Sequence, residues 1–252
     1  MRLKDKVAIV TGATRGIGRA IAVRFGQEGA RVCVVGRDPD MGAETVRLVA
    51  ATGAEALFVP TDVSDSGQVQ HMVDAVVDRW GRIDVLVNNA AICPFEDFLE
   101  MSESLWDQVL ATNLKGYFLC SQTVARVMVE QGSRGRIIAV SSISSEFGGS
   151  QQAHYCASKA GINLLVKSMA ISLGPHGITC NAVLPGTVET SINREALADP
   201  EVRGYWQKRG PIGGLGQPED IAGPVLFFAS DDSAWCTGAM LVVDGGVSIN
   251  LQ

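Results

Sequence analysis

Seven short runs rich in β-branched residues recur along the chain with almost no polar alternation. They are VAIV from Val7, VCVV from Val32, ALFV from Ala56, VLV from Val85, IIAV from Ile137, ITCNAVL from Ile178 and MLVV from Met240. Apolar runs of this length without a polar face predict strands buried on both sides. Between them, apolar residues fall at three- and four-residue spacings, as at Ile17, Ala20, Ile21 and Phe25, and again at Val69, Met72, Val73, Val76 and Val77. That period predicts helices with one buried stripe. Alternating strands and helices predict an α/β, doubly wound parallel sheet of about seven strands with helices on both faces, a Rossmann-like fold. In such a fold, ligands sit beyond the carboxyl ends of the strands, so the loops after strands are where chemistry is expected.

A chain of 252 residues suits one domain, 1–252, with a well-buried core. The least regular stretch, 187–216, carries Pro200 and Pro211 with Gly210, Gly213, Gly214 and Gly216 and reads as a mobile lid over a site. No apolar run reaches membrane length, and the N-terminus MRLKDKVAIV lacks the pattern of a secretory signal. The six cysteines are scattered singly without a CxxC, which points to a reduced cytoplasm. A net charge of -6 gives no basic footprint for nucleic acid. Three isolated histidines show no metal-ligand spacing, so no metal is expected.

After the first strand comes TGATRGIG, with Gly12, Gly16 and Gly18 leading into a helix. Glycines let backbone approach a pyrophosphate, and a helix N-terminus offers open N–H groups. The second strand ends in Gly36, Arg37 and Asp38. Asp38 stands before Pro39 and a helical run, so it is read as a helix cap. Gly36 leaves room where an acid would bind ribose hydroxyls, and Arg37, with Arg15 from the glycine turn, presents donors to a 2′-phosphate. The pair points to NADP, with NAD less preferred. Asp62 in PTDVSD is placed to reach the adenine, although Asp and Ser there also suit a turn.

The fifth run leads into SSISSEFGGSQQAHYCASKAG, where Tyr155 and Lys159 lie four apart on one helical face. Bringing a phenol from about pH 10 to about 7 takes roughly 4 kcal/mol, part of which an adjacent ammonium supplies. Ser142 is placed to donate to a substrate oxygen; Ser141 is less well spaced. His154 and Cys156 flank Tyr155 but face other sides of the helix.

TGATRGIG at Thr11, NNAA at Asn88, TNLKG around Asn113, SSIS at Ser141, YCASK at Tyr155 and LPGTVET at Leu184 occur in this order over essentially the whole chain. In this the chain closely resembles the short-chain dehydrogenase/reductases. The resemblance implies Tyr155 as general acid/base and Lys159 as the residue that binds the nicotinamide ribose and lowers the tyrosine pKa. It implies Ser142 as the group orienting the substrate oxygen and Asn113 as holder of a water in a proton relay. The cofactor site it implies runs through Gly12, Thr14, Arg15, Gly16, Ile17, Gly18, Arg37, Asp62, Val63, Asn89 and Ala90, then Tyr155, Lys159, Pro185, Gly186, Val188 and Thr190. Asn89 and Val188 would position adenosine and nicotinamide, with Thr190 near the cofactor amide or pyrophosphate. Ala91 departs from the family's NNAG and puts that turn's geometry in question.

ICPFEDFLEM from Ile92, LPGTVETSIN from Leu184 and the terminal INLQ resemble, more narrowly, the L-rhamnose and related aldose dehydrogenases. That implies oxidation of a sugar C1 hemiacetal to a lactone. The hydrogen-bonding groups of Ser142, Ser144, Ser145, Gln151, Gln152 and Asn193 suit a polyol. Cys93, Pro94 and Phe95 suit a 6-deoxy methyl group. Reduction of 3-oxoacyl thioesters is the enzymatic alternative, and a non-catalytic nucleotide sensor is a third reading that the complete tetrad disfavours. Relatives are tetramers, which implies a homotetramer built on the helices around 113–131 and 152–174 and on the tail from Met240.

Overall fold

The computed structural model describes residues 1–250; Leu251 and Gln252, the end of the INLQ tail, lie outside the described residues. All seven apolar runs form strands: β1 (Val7–Thr11), β2 (Arg31–Gly36), β3 (Ala56–Pro60), β4 (Val85–Asn88), β5 (Arg136–Val140), β6 (Thr179–Pro185) and β7 (Met240–Val243). They make one sheet in the order β3-β2-β1-β4-β5-β6-β7, with every pair parallel. The connections reverse direction between β1 and β4. Loops leaving those two strands diverge to opposite faces and open a crevice at their carboxyl ends.

Eight α-helices occur among the described residues: α1 (Gly16–Gln27), α2 (Pro39–Ala50), α3 (Ser66–Trp80), α4 (Glu103–Leu110), α5 (Gly116–Glu130), α6 (Ala153–Leu173), α7 (Pro200–Arg209) and α8 (Pro218–Ala229). Period-2 alternation sends Val7 and Ile9 of β1 into one core with Met72 of α3, Cys120 of α5 and Val166 of α6. Ala8 and Val10 enter the other, with Phe25 of α1, Val49 of α2 and Val225 of α8. Every residue of β1 is therefore buried, as the unbroken apolar runs predict. The edge strand β7 departs from that expectation, because it lacks a partner on one side and Leu241 and Val242 are 37% and 38% exposed.

Local signals set most helix starts. The Asp38 carboxylate accepts from the Met41 N–H at 3.0 Å with Pro39 at the first helical position, as the sequence predicts. Asp65 and Ser102 cap α3 and α4 in the same way. Helix α1 differs: it leaves the glycine turn with no side-chain cap, so its first N–H groups remain open toward the crevice.

The stretch 187–216, expected to be irregular, contains a short 3₁₀ turn (Ala196–Ala198) and α7. Its two ends are pinned where Glu189 N–H donates to the Gly216 carbonyl at 2.9 Å and Gly216 N–H to Thr187 at 3.1 Å. Arg203 of α7 ion-pairs with Glu189. The helix escapes a periodicity search because none of its residues is buried, so it has no apolar stripe.

Candidate active site

The glycine turn is held by its neighbours. Gly12 and Gly16 have φ of 63° and 54°, values costly for other residues. A Cβ on Gly18 would lie 2.3 Å from the Gly12 carbonyl oxygen, and one on Gly12 would lie 2.8 Å from Ala90 Cα. The Asn89 amide donates to the carbonyls of Thr11 and Gly12 at 3.0 and 3.1 Å, while the Thr11 hydroxyl oxygen accepts from the N–H groups of Asn89 and Ala90. The Asn89 amide nitrogen thus buttresses the turn, while the residue also lines the cleft beyond it. Among the described residues only Asp5 and Gln151 are non-glycine residues with positive φ, so Ala91 sits where glycine was expected without backbone strain.

Beyond the turn lies a cleft of about 170 Å³ lined by Gly12, Thr14, Arg15, Gly16, Ile17, Gly36, Arg37, Asp62, Val63, Asn89, Ala90 and Thr190, among others. Both arginines expected at a 2′-phosphate are there. Gly36 has a further reason besides the room it leaves: a Cβ would come within 2.6 Å of Thr14 Cγ2, so glycine lets the turn pack on the end of β2. Asp62 lies 3.7 Å from the Arg37 guanidinium, and its other oxygen accepts from Ser64 N–H at 3.0 Å and Ser64 Oγ–H at 2.7 Å. Burial opposes charge on Asp62, but Ser64 and Arg37 outweigh it and hold the carboxyl below its ordinary value. An uncapped helix start, a turn closed to any Cβ and two arginines fit a phosphorylated dinucleotide.

The catalytic residues converge at the ends of β5 and β4. Helix α6 carries Tyr155 and Lys159 on one face, the Lys159 Nζ lying 5.4 Å from the tyrosine ring centroid and donating to the Val140 carbonyl at 2.8 Å. Burial lowers the lysine to about 8. Burial likewise pushes the Tyr155 phenol up, and the hydrogen bond with Ser142 is what pulls it back. In the protein alone the ammonium is held on a backbone carbonyl, and Ser142 is the neighbour that lowers the phenol. Asn113 is 1% exposed on a π-helical turn (Ala111–Lys115) between α4 and α5. Its amide closes a two-bond clamp on the Ile92 backbone, at 2.9 Å each way, and donates to Ser158 Oγ at 3.2 Å. Ser158 in turn donates to the Tyr155 carbonyl at 2.7 Å. Sequence reading missed this Ser158 link, although it lies one turn after Tyr155.

Tyr155 opens into a cavity of about 670 Å³ whose walls include Cys93, Phe95, Ser142, Ser144, Gln152, Lys159, Pro185, Gly186, Val188, Thr190 and Asn193. Three polar groups expected at substrate are already engaged. Asn193 donates to the Val188 carbonyl at 2.8 Å and accepts from Thr190 N–H at 3.0 Å, which shapes the loop. Ser145 does not line the cavity; its hydroxyl donates to the Ser142 carbonyl and accepts from Asn163. Gln152 donates to Cys93 Sγ at 3.4 Å. The structure adds Leu197, Val202 and Trp206, an apolar wall supplied by the segment around α7. It also shows Gln151 at φ 61°, its amide 3.0 Å from Asp97 and its carbonyl accepting from Glu96, so the rims on either side of the cavity are strapped together. His154 and Cys156 lie outside the cavity lining. No cluster of three or more metal-ligating side chains occurs among the described residues, and none of their helices is long and apolar enough to cross a membrane.

Residues 12–248 match the family model described as enoyl-(acyl carrier protein) reductase. The chain is similar to an L-rhamnose 1-dehydrogenase (NAD(P)(+)) of Azotobacter vinelandii, with 50% identity over 100% of both chains. It is 41% identical to a (3R)-3-hydroxyacyl-CoA dehydrogenase of Canis lupus familiaris, over 98% of each. Among solved structures, a short-chain type dehydrogenase/reductase from Mycobacterium marinum aligns with a TM-score of 0.94 at 36% identity, covering 98% of this chain and 96% of that one. These likenesses extend over the whole sheet and the crevice at its switch point, and the chain therefore belongs to the short-chain dehydrogenase/reductase family.

Proposed function

We propose that the protein oxidises the C1 hemiacetal hydroxyl of an L-rhamnose-like aldose to the lactone, with NADP as the preferred acceptor and NAD as the second. The observation that carries this reading is the cavity beside Tyr155, whose lining combines the hydroxyls of Ser142 and Ser144 with the apolar groups of Cys93, Phe95 and Trp206. Hydroxyl-matching and methyl-matching groups in one cavity suit a 6-deoxy sugar. The 50% identity to an L-rhamnose 1-dehydrogenase supports it.

When bound, the nicotinamide supplies the hydride acceptor. Ser142 hydrogen-bonds the C1 hydroxyl oxygen and holds it against Tyr155. The Tyr155 oxygen, as phenolate, would take the hydroxyl proton, leaving the C1 hydride for the bound nicotinamide and C1=O in the lactone. Lys159, charged below about pH 8, would favour the phenolate and hold the nicotinamide ribose. Asn113 keeps Ile92, and with it the wall that starts at Cys93, in place. The same reading assigns a homotetramer packed through the outer faces of α5 and α6, where Phe118, Leu164 and Ile171 are exposed, and a cytoplasmic location suited to six free cysteines.

The test is a substrate panel with purified protein. NADP+ reduction with L-rhamnose, yielding the lactone, is expected, with little turnover of secondary alcohols or of 3-hydroxyacyl and 3-oxoacyl thioesters. Rapid turnover of the thioesters with none of the sugars would transfer the assignment to the hydroxyacyl reading.

A further inference from the structure

The arginine that the NADP reading relies on faces a carboxylate. Asp62 is the only ion-pair partner of Arg37 among the described residues, at 3.7 Å, while Arg15 on the same cleft has none. That distance exceeds a hydrogen bond, so the guanidinium keeps its donors available while standing in the field of Asp62. Nor is Asp62 free to swing aside. Its Oδ1 is held by the N–H and hydroxyl of Ser64, and its own N–H donates to Gln68 Oε1 at 2.8 Å. A phosphate that reaches Arg37 therefore settles beside a fixed negative charge. An unphosphorylated ribose meets no such repulsion and finds an acceptor instead.

We propose that Asp62 is a cofactor-discriminating residue that opposes Arg37: its carboxylate repels a 2′-phosphate, tempers the preference for NADP and keeps the site open to NAD. The inference rests on the cleft being the nucleotide site. It turns a residue expected only at the adenine into a determinant of the choice at the ribose. The selectivity of the site is then the difference between an attraction and a repulsion set a few ångströms apart, and removing the repulsion alone should sharpen it.

Asp62→Asn tests this directly, since asparagine keeps the size of the side chain and an oxygen for Ser64 but loses the charge. Equilibrium binding of NADP+ and NAD+ is measured by calorimetry, without sugar, at low and high salt. We expect the Kd for NADP+ to fall about tenfold, equivalent to about 1.4 kcal/mol, with NAD+ within about twofold and the NADP+ gain shrinking as salt screens it. Asp62→Ser, which also removes the charge, must shift NADP+ in the same direction, and thermal melts confirm that both variants are folded. Equal weakening of both dinucleotides, the signature of an adenine contact alone, overturns the inference, as does no change in either. A wild-type protein that binds neither dinucleotide overturns the nucleotide-site reading itself, and with it this inference.

Discussion

Replacing Asn113 with alanine strips the clamp that joins the π-helical turn to the strand β4 exit. Three hydrogen bonds disappear: two to the Ile92 backbone at 2.9 Å and one to Ser158 Oγ at 3.2 Å. At about 1 kcal/mol net per bond, and more where a buried partner is stranded, the loss is about 3 kcal/mol. For a chain of this size each kcal/mol moves the melting temperature by roughly 2–4 °C, so a fall of about 6–12 °C is expected. The functional effect follows from position, since Ile92 leads directly into Cys93 and Phe95 on the substrate cavity wall. The sugar KM should therefore rise and kcat fall, and NADP+ should bind more weakly as well, because Ile92 also lines the cleft that holds Arg37. Thermal unfolding, calorimetry with NADP+ and initial rates with L-rhamnose measure all three. A melting temperature within about 2 °C of wild type, with an unchanged sugar KM, would refute the clamp.

Three further outcomes are expected. Arg37→Ala should raise the KM for NADP about tenfold or more, the effect of losing a phosphate contact worth about 1.4 kcal/mol, and leave the KM for NAD nearly unchanged; equal effects on both would remove Arg37 from the phosphate. Gly18→Ala should abolish dinucleotide binding in calorimetry, because its Cβ would lie 2.3 Å from the Gly12 carbonyl oxygen and 2.5 Å from the Asn89 amide nitrogen, and native-like affinity would show that the turn adjusts. In a pH–rate profile, sugar oxidation should climb from neutral pH, since burial raises the Tyr155 phenol and the base form appears only as protons are removed. The climb should flatten above about 8, where Lys159 loses its charge, whereas reduction of the lactone should decline over the same range; an oxidation rate that falls with rising pH would contradict the tyrosine's role.

The parallel sheet was legible because burial on both faces writes itself as unbroken apolar runs, and all seven form strands. Asp38 was legible as a cap because Pro39 follows it, and Tyr155 with Lys159 because a helix places residues four apart on one face. The remainder depends on contacts between segments distant in the chain. That the Asn89 amide also braces Thr11 and Gly12 shows only once the turn is folded. Gly36 looks like open space until the Thr14 methyl is placed against it. Asn193 seems free for a sugar until the backbone of its own loop claims both ends of its amide. The π-helical turn under Asn113 and the left-handed Gln151 leave no trace in composition or period. Helix α7 is silent for another reason: none of its residues is fully buried, so no apolar stripe marks it.

The most direct test of the account is the initial rate of NADP+ reduction by L-rhamnose in wild-type protein and in Tyr155→Phe, with NADP+ affinity measured on both. The phenylalanine keeps the ring and its packing and removes only the oxygen that exchanges the proton. The account predicts turnover in the wild type and a loss of about 10²–10⁴-fold in the variant, with NADP+ affinity preserved. A wild-type rate no faster than a sugar-free control, or full turnover without the tyrosine oxygen, would contradict it.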